Sequence, residues 1–211
     1  MTTVTRRVAC FCESSFDTSI PSSADLVADP GMEELILGGE FMAVNCPACG
    51  KRLTPEFPFR LSGVREAKEI FMIPEADRVA YLRGSLDYPI GTPGRIVIGF
   101  PELAEKVLVF GRALDDRVIE IMKYYLLTAG AGEADPNADR EMTLRYRGME
   151  GGKHLFHIIG MKEGEVGVAR LAAEIYSRIA GDVETRVLEE PFRDFCEPPW
   201  VSLRRVAGGG Q

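Results

Sequence analysis

The chain has 211 residues, of which 45% are hydrophobic and 27% charged, with a formal net charge of −7. This is the composition of an ordinary soluble globular protein, and no basic segment indicates binding to nucleic acid or to an anionic membrane. No apolar run reaches the roughly 20 residues of a transmembrane helix, and the N-terminus lacks a secretory signal. We therefore expect a cytoplasmic protein with reduced thiols, in which four of the five cysteines, lying in two tight clusters, serve as metal ligands rather than in disulfides.

The first third of the sequence predicts short strands and turns. TVTRRVACF is rich in Val and Thr, which favours a strand. Pro30 before MEELIL and Gly38 after it predict a short helix, because proline favours helix starts and glycine favours helix ends. Further strands are predicted at EFMAVNC, EIFMIP, RVAYLR and RIVIGF, separated by turns that contain Pro and Gly.

From residue 100 the hydrophobic period becomes helical. The stretch FPELAEKVLVFGRALDDRVIEIMKYYLL predicts two helices, or one bent helix, divided near Gly111. Residues 129–139 have almost no large apolar side chains and predict a linker. We therefore expect a domain over residues 1–128, a linker over 129–139 and a small α+β unit with a flexible tail over 140–211.

The C-terminal unit is predicted to contain a three-stranded meander followed by a helix. REMTLRYRG, GKHLFHIIG and GEVGVARL are strand candidates separated by glycine-containing turns. The helix RLAAEIYSRIAGD is expected to end at Gly181. The fold class is thus α+β, with a zinc-ribbon-like N-terminal β module that ends in helices.

Two cysteine pairs carry the sharpest chemical signal in the sequence. Cys46 and Cys49 enclose two residues, one of them proline, and Gly50 can adopt the left-handed conformation that leaves such a turn. Cys10 and Cys12 form the second pair, and 33 residues lie between Cys12 and Cys46. Four thiolates in two turns predict a structural Zn²⁺ site, because a closed four-sulfur shell leaves no position for substrate.

The first pair is one residue shorter than the usual spacing, so other interpretations stay open. Cys10 and Cys12 could be ordinary thiols on one face of a strand, and the site could hold three cysteines or no metal at all. If zinc binds, Lys51 and Arg52 could offset part of the negative charge of four thiolates.

An N-terminal cysteine pair, then GGEFMAVNCPACG, then FPELAEKVLVFGRALDDRVIEIMK resembles the CpXC family, over roughly residues 5–128. This family of bacterial and archaeal proteins takes its name from two Cys-Pro-x-Cys motifs. The second motif matches at Cys46, Pro47 and Cys49, whereas Cys10-Phe11-Cys12 lacks the proline and one spacer residue. The resemblance supports a metal site at the four cysteines and implies no activity.

Other candidate residues favour structural roles. His154 and His157 are expected on opposite faces of a strand, which disfavours a shared metal. Cys196 could be a fifth ligand or a reactive thiol, but a buried small residue is the favoured interpretation. Asp115 and Asp116 are expected to interact with a helix dipole. With Glu120 and Lys123 they could form an acid–base set, but a solvated helix face is the favoured interpretation.

Trp200 could dock on a partner or fix the C-terminal segment to the core.

Taken together, the cysteine pairs and the structural interpretation of the other candidates predict a zinc-stabilised, non-enzymatic scaffold or interaction module with a protein partner. The alternative is an enzyme that uses carboxylates scattered along the sequence, with zinc purely structural. Neither a substrate nor an oligomeric state follows from the sequence.

Overall fold

A computed structural model describes residues 1–65, 67–86, 88, 90–91, 93–130 and 142–207. The chain divides into two compact units, Met1–Val107 and Leu108–Gln211, and together they form the predicted mixed α+β fold. No helix among these residues combines the length and apolar character needed to cross a bilayer.

A five-stranded mixed sheet organises the first unit. Its strands and helices are β1 (Thr2–Ala9), β2 (Ser15–Asp25), α1 (Gly31–Leu37), β3 (Val44–Asn45), β4 (Arg52–Leu53), β5 (Phe59–Val64), β6 (Lys68–Ile73), α2 (Arg78–Leu82), β7 (Gly94–Ile98) and α3 (Gly99–Gly111), the last of which contains the boundary between the units. The strand order is β1-β2-β5-β6-β7, and β3 and β4 form a separate small hairpin. β1/β2 and β5/β6 pair antiparallel, whereas β2/β5 and β6/β7 pair parallel.

The core of this unit lies on the central strands of the sheet. β5, β6 and β7 are rich in Val, Ile and Phe, which fit a pleated buried surface. Phe59, Leu61, Ile70 and Met72 are all fully buried. The first cysteine-bearing hairpin, β1–β2, therefore belongs to a well-packed sheet, whereas the second, β3–β4, is separate from it.

RVAYLR was predicted to be a strand, and this prediction was wrong: Arg78–Leu82 is helix α2. Pro74 precedes the short 3₁₀ turn that leads into the helix, and Gly84, with φ of 67°, follows its end. This is the usual arrangement of Pro and Gly around a helix. The parallel pairing of β6 with β7 also requires a crossover connection, which α2 supplies.

The predicted strand EFMAVNC shrinks to Val44–Asn45, and β2 and β5 were not predicted at all. β2 contains Pro21, Ser and Asp, which are turn formers in an isolated sequence. Only Ser23–Asp25 of β2 pair with β5. Pro21 thus lies where the strand has one described neighbour, a position that tolerates proline.

The second unit contains α4 (Asp116–Gly130), β8 (Thr143–Glu150), β9 (Lys153–Ile159), β10 (Val166–Ala172), α5 (Ala173–Arg186), α6 (Phe192–Cys196) and α7 (Arg204–Ala207). The three strands form an antiparallel sheet in the order β10-β9-β8, which confirms the predicted meander. Helices α3 and α4 flank Gly111 as predicted. Trp200 is buried, in agreement with a role in fixing the C-terminal segment.

α5 does not end at Gly181 but continues to Arg186. Ile179 and Val183, on either side of Gly181, are both buried, so packing of the apolar face outweighs the roughly 1 kcal/mol that glycine costs within a helix. Residues 129 and 130 of the predicted linker belong to α4, and 131–139 lie outside the described residues. So do the last four residues of the predicted flexible tail, and the predicted domain boundaries stay a prediction.

Candidate metal centre

The turns of two β-hairpins bring the four N-terminal cysteines together. Cys10 and Cys12 lie in the turn between β1 and β2, and Cys46 and Cys49 lie in the turn between β3 and β4. The four sulfur atoms all lie within 4.8 Å of one another. Among the described residues, these are the one group of three or more Cys, His, Asp and Glu side chains placed to share a metal ion.

The second turn has the expected geometry. The Cys46 N–H donates to the Lys51 carbonyl at 2.9 Å, and the Gly50 N–H donates to the Cys46 carbonyl at 2.8 Å. Gly50 has φ of 71°, the left-handed conformation that its position predicts. The turn is therefore closed by its own backbone and presents both sulfurs on one side.

The first turn repeats this pattern with one residue fewer. The Cys10 N–H donates to the Ser14 carbonyl at 2.8 Å, and the Glu13 N–H donates to the Cys10 carbonyl at 2.9 Å. Glu13, with φ of 68°, occupies the left-handed position that Gly50 holds in the other turn. The short Cys-x-Cys spacing thus removes a residue from the turn without losing its closing hydrogen bonds.

The distances between the sulfurs fit tetrahedral coordination. Cys10 Sγ lies 3.7 Å from Cys49 Sγ, and Cys12 Sγ lies 3.7 Å from Cys46 Sγ. Four sulfurs at about 2.3 Å from a central Zn²⁺ would be separated by about 3.8 Å along each edge of the tetrahedron. The cluster is therefore consistent with a metal site, while its geometry alone does not fix the identity of the metal.

Hydrogen-bond donors surround the sulfurs. The Ser14 hydroxyl lies 3.1 Å from Cys12 Sγ and 3.2 Å from Cys46 Sγ, so it bridges the two hairpins. Backbone N–H groups also reach the sulfurs: those of Ala48 and Cys49 donate to Cys46. Donors that hydrogen-bond to the ligand sulfurs orient them towards a metal and stabilise their thiolate form. Ser14 carries no sequence signal for this role, because serine is common in turns.

These donors make the four thiols unequal. The Ser14 hydroxyl, with help from backbone N–H groups, lowers the pKa of Cys46 to about 6, and Ser14 also lowers the pKa of Cys12. The pKa of Cys49 is raised to about 12: the Lys51 N–H favours its thiolate, but neighbouring thiols and burial outweigh that donor. The Cys12 N–H likewise favours the thiolate of Cys10, but burial and the neighbouring thiols have the larger effect, so the pKa of Cys10 is raised. Cys10 and Cys49 thus retain protons that a bound divalent cation would displace.

Of the two cations after the second turn, only Lys51 lies beside a residue of the first turn. Its Nζ sits 4.8 Å from the centre of the Phe11 ring, between Cys10 and Cys12 in sequence. Arg52 instead forms an ion pair with Glu40 at 2.8 Å and donates to the Gly39 carbonyl. Lys51 is therefore the better candidate to offset thiolate charge.

The left-handed residues of the two turns give a matched pair of variants. Glu13→Gly should stabilise the first unit by about 1 kcal/mol, because it removes the strain of a non-glycine residue at positive φ. Gly50→Ala should destabilise it by a similar amount, although open space surrounds the position that its Cβ would occupy. Chemical denaturation of zinc-loaded protein measures both. A loss of stability in Glu13→Gly would contradict the assignment of this strained position.

The remaining candidate residues lie in the second unit and do not form a metal site. His154 and His157 lie on opposite faces of β9, as predicted, and His154 is buried with its Nδ1 3.1 Å from the Tyr146 hydroxyl. Cys196 is buried, also as predicted, with its sulfur 3.9 Å from the Arg117 carbonyl.

The sequence predicted that the charged residues of α4 form a solvated face. This prediction was wrong, because three of them are buried. Asp116, Glu120 and Lys123 are 1%, 2% and 6% exposed. Glu120 accepts from Lys123 Nζ at 2.9 Å and from the Leu203 N–H at 2.8 Å. Pairing with a cation and a backbone donor is what allows such a carboxylate to be buried. Asp115, by contrast, accepts from the Arg117 N–H at the helix start, as the dipole interpretation expects.

The burial of His154 predicts a pH-dependent stability. Desolvation, together with the charge of Arg112, lowers the pKa of His154 in the folded state. A lowered pKa stabilises the fold at pH values above the unfolded pKa of about 6.5, and this stabilisation is lost as the pH falls below it. We expect the unfolding free energy of the second unit to decrease between about pH 6.5 and 5.

His154→Phe should remove this decrease, whereas a His157→Gln variant should retain it. Denaturation monitored by fluorescence of Trp200, the single tryptophan, measures the effect at each pH. The same slope in wild type and His154→Phe would assign the pH dependence to carboxylates instead.

Comparison with known proteins agrees with the cysteine layout. The model of the CpXC protein family matches residues 8–123, which include all four clustered cysteines. An uncharacterized protein of Treponema pallidum (strain Nichols) is 25% identical over 191 residues, which cover 82% of this chain and 86% of that protein. No solved structure matches the chain at a significant level.

Proposed function

Because the chain belongs to the CpXC protein family and carries a four-cysteine cluster able to bind a metal, we propose that it is a zinc protein whose metal is structural. In this proposal Cys10, Cys12, Cys46 and Cys49 are the ligands, and the protein acts as a non-enzymatic interaction or scaffold module with a protein partner. Zinc joins the two cysteine hairpins.

The observation that carries this proposal is the spacing of the four sulfurs. Two pairs, each with one sulfur from each hairpin, lie at 3.7 Å, close to the tetrahedral value of about 3.8 Å. Four protein ligands fill the coordination shell of Zn²⁺ and leave no position for a catalytic water or a substrate. A site of this kind contributes folding free energy rather than chemistry.

The surface next to the cluster supports an interaction role. Phe11 is 86% exposed, although it lies in a turn that the backbone closes tightly. Exposed aromatic side chains on rigid elements are typical anchors of protein interfaces. Lys51 over the same ring adds a positive charge beside the apolar contact, which suits a partner that is itself partly acidic.

X-ray absorption spectroscopy with metal analysis tests the proposal directly. We expect one zinc per chain with four sulfur neighbours at about 2.3 Å. Nitrogen or oxygen ligands, or a metal-free protein that remains fully folded, would overturn it. Phe11→Ala should leave both the metal content and the sulfur shell unchanged, which separates the exposed ring from the metal site.

A further inference from the structure

We propose that the four-cysteine cluster is a peroxide-reactive site, in which oxidation joins Cys12 to Cys46 and Cys10 to Cys49. Both disulfides would cross from one hairpin to the other and would displace the metal. The inference rests on the proposed function only in naming zinc as the ion released.

The arrangement of exposed and buried sulfurs carries the proposal. Cys12 and Cys49 are exposed, one in each turn, whereas Cys10 and Cys46 are buried. Each 3.7 Å contact joins an exposed sulfur of one hairpin to a buried sulfur of the other. Each exposed sulfur of the cluster therefore has a buried sulfur 3.7 Å away that can form a disulfide with it after oxidation.

The chemistry needs one hydroperoxide for each disulfide. The exposed thiolate of Cys12 attacks a peroxide oxygen, the O–O bond breaks, and Cys12 becomes a sulfenic acid while the leaving oxygen departs as hydroxide, or as an alkoxide if the peroxide is organic. The thiolate of Cys46 then attacks the Cys12 sulfur, an S–S bond forms and a second hydroxide leaves. Two electrons pass from the two sulfurs to the peroxide, whose oxygens leave as two hydroxides, or as one hydroxide and one alkoxide if the peroxide is organic. Cys49 and Cys10 repeat the sequence with a second peroxide.

The distances favour bonds across the hairpins. A disulfide requires the sulfurs to approach to about 2.05 Å, so each cross-hairpin pair at 3.7 Å must close by about 1.7 Å. A disulfide within Cys10-Phe11-Cys12 would instead have to bridge a single residue in a turn closed by two backbone hydrogen bonds. A cross-hairpin bond leaves both turns intact and replaces the metal as the link between them.

Peptide mapping of the oxidised full-length protein tests the inference. Zinc-loaded protein is treated with two equivalents of hydrogen peroxide, released zinc is measured with a colorimetric chelator, and free thiols are alkylated under denaturing conditions. Cleavage after glutamate separates the two pairs, because residues 1–13 contain Cys10 and Cys12 and residues 41–56 contain Cys46 and Cys49. Tandem fragmentation then identifies the partner of each cysteine.

We expect one species in which both peptides are joined by two disulfides, with release of one zinc per chain. Disulfides confined to each peptide, sulfinic acids without disulfides, or the pairing of Cys10 with Cys46 would each overturn the proposal. Cys196 is the internal control: it is buried in the other unit and should be recovered fully alkylated.

Two further measurements keep the outcome interpretable. Zinc is quantified before oxidation, so that a protein without zinc contradicts the proposed function while the disulfide map still decides this inference. Circular dichroism should show that oxidised, metal-free protein retains its fold, whereas reduced, metal-free protein does not. Equal loss of structure in the two forms would contradict the replacement of the metal by cross-hairpin bonds.

Discussion

Loss of a single buried ligand should unfold the cysteine hairpins of the first unit. In Cys46→Ala we expect zinc affinity to fall by at least about 100-fold. Removal even of a group that only hydrogen-bonds to a ligand lowers metal affinity by about 10- to 100-fold. Zinc binding to structural sites contributes roughly 10–16 kcal/mol, as much as the entire stability of a small domain. Hydrogen exchange should therefore show loss of protection over β1 to β4, with the same result when a chelator strips the wild type.

A matched cysteine variant separates metal loss from the loss of a buried thiol. Cys196 is also buried, but it belongs to the second unit, where its sulfur lies 3.9 Å from the Arg117 carbonyl, and it is not a member of the four-cysteine cluster. Cys196→Ala should keep one zinc per chain and wild-type protection over the hairpins. If Cys46→Ala bound zinc as tightly as the wild type, the four-ligand assignment would be wrong.

The second large effect concerns the buried ion pair of α4. Lys123→Met keeps the size and apolar stem of the side chain but removes the ion pair between Lys123 Nζ and the Glu120 carboxylate, which are 2.9 Å apart. Breaking a buried pair in this way costs roughly 3–5 kcal/mol. Chemical denaturation monitored by Trp200 fluorescence should report this loss in the second unit. The hydrogen bond from the Leu203 N–H to Glu120 would remain in the variant.

An exposed pair with the same sequence spacing provides the control. Lys162 and Glu165 lie 4.0 Å apart with side chains about 70% exposed, and Lys162→Met should change stability by less than about 0.5 kcal/mol. The double variant Glu120→Leu/Lys123→Met should recover part of the loss, because it removes both members of the buried pair. Equal effects of the Lys123 and Lys162 variants would show that burial of the pair is energetically unimportant.

The sequence predicted those elements whose pattern is local. α1 lies between Pro30 and Gly38, the meander follows from alternating strands and glycine turns, and Gly111 separates two helices. The failure to predict β2 arose because distant contacts decide its conformation. β2, which contains Pro21, is a strand because its residues from Ser15 to Ser23 pair with β1. That pairing cannot be recognised in the sequence of β2 itself.

The clustering of the four cysteines was predicted from spacing alone, and the structure brings them together. What the sequence could not supply is how the short first turn closes. Glu13 is not a residue that predicts positive φ, and the position of Ser14 between two sulfurs depends on the meeting of two hairpins distant in sequence. Likewise, the charged residues of α4 have the pattern of a solvated face, and only the packing of the C-terminal segment around Glu120 and Lys123 shows that they are buried.

The parallel pairing of β2 with β5 has a consequence for how the chain folds. Residues 26–58 form the crossover between these strands, and the second cysteine turn lies inside that crossover. Pairing across such a long connection is slow, because the loop must close before any contact compensates for the lost entropy. A metal held by both turns would join Cys12 to Cys46 and so shorten the path along the chain between the two strands. Zinc would then increase both the rate at which the central sheet forms, because it reduces the entropy lost on loop closure, and the stability of the folded protein.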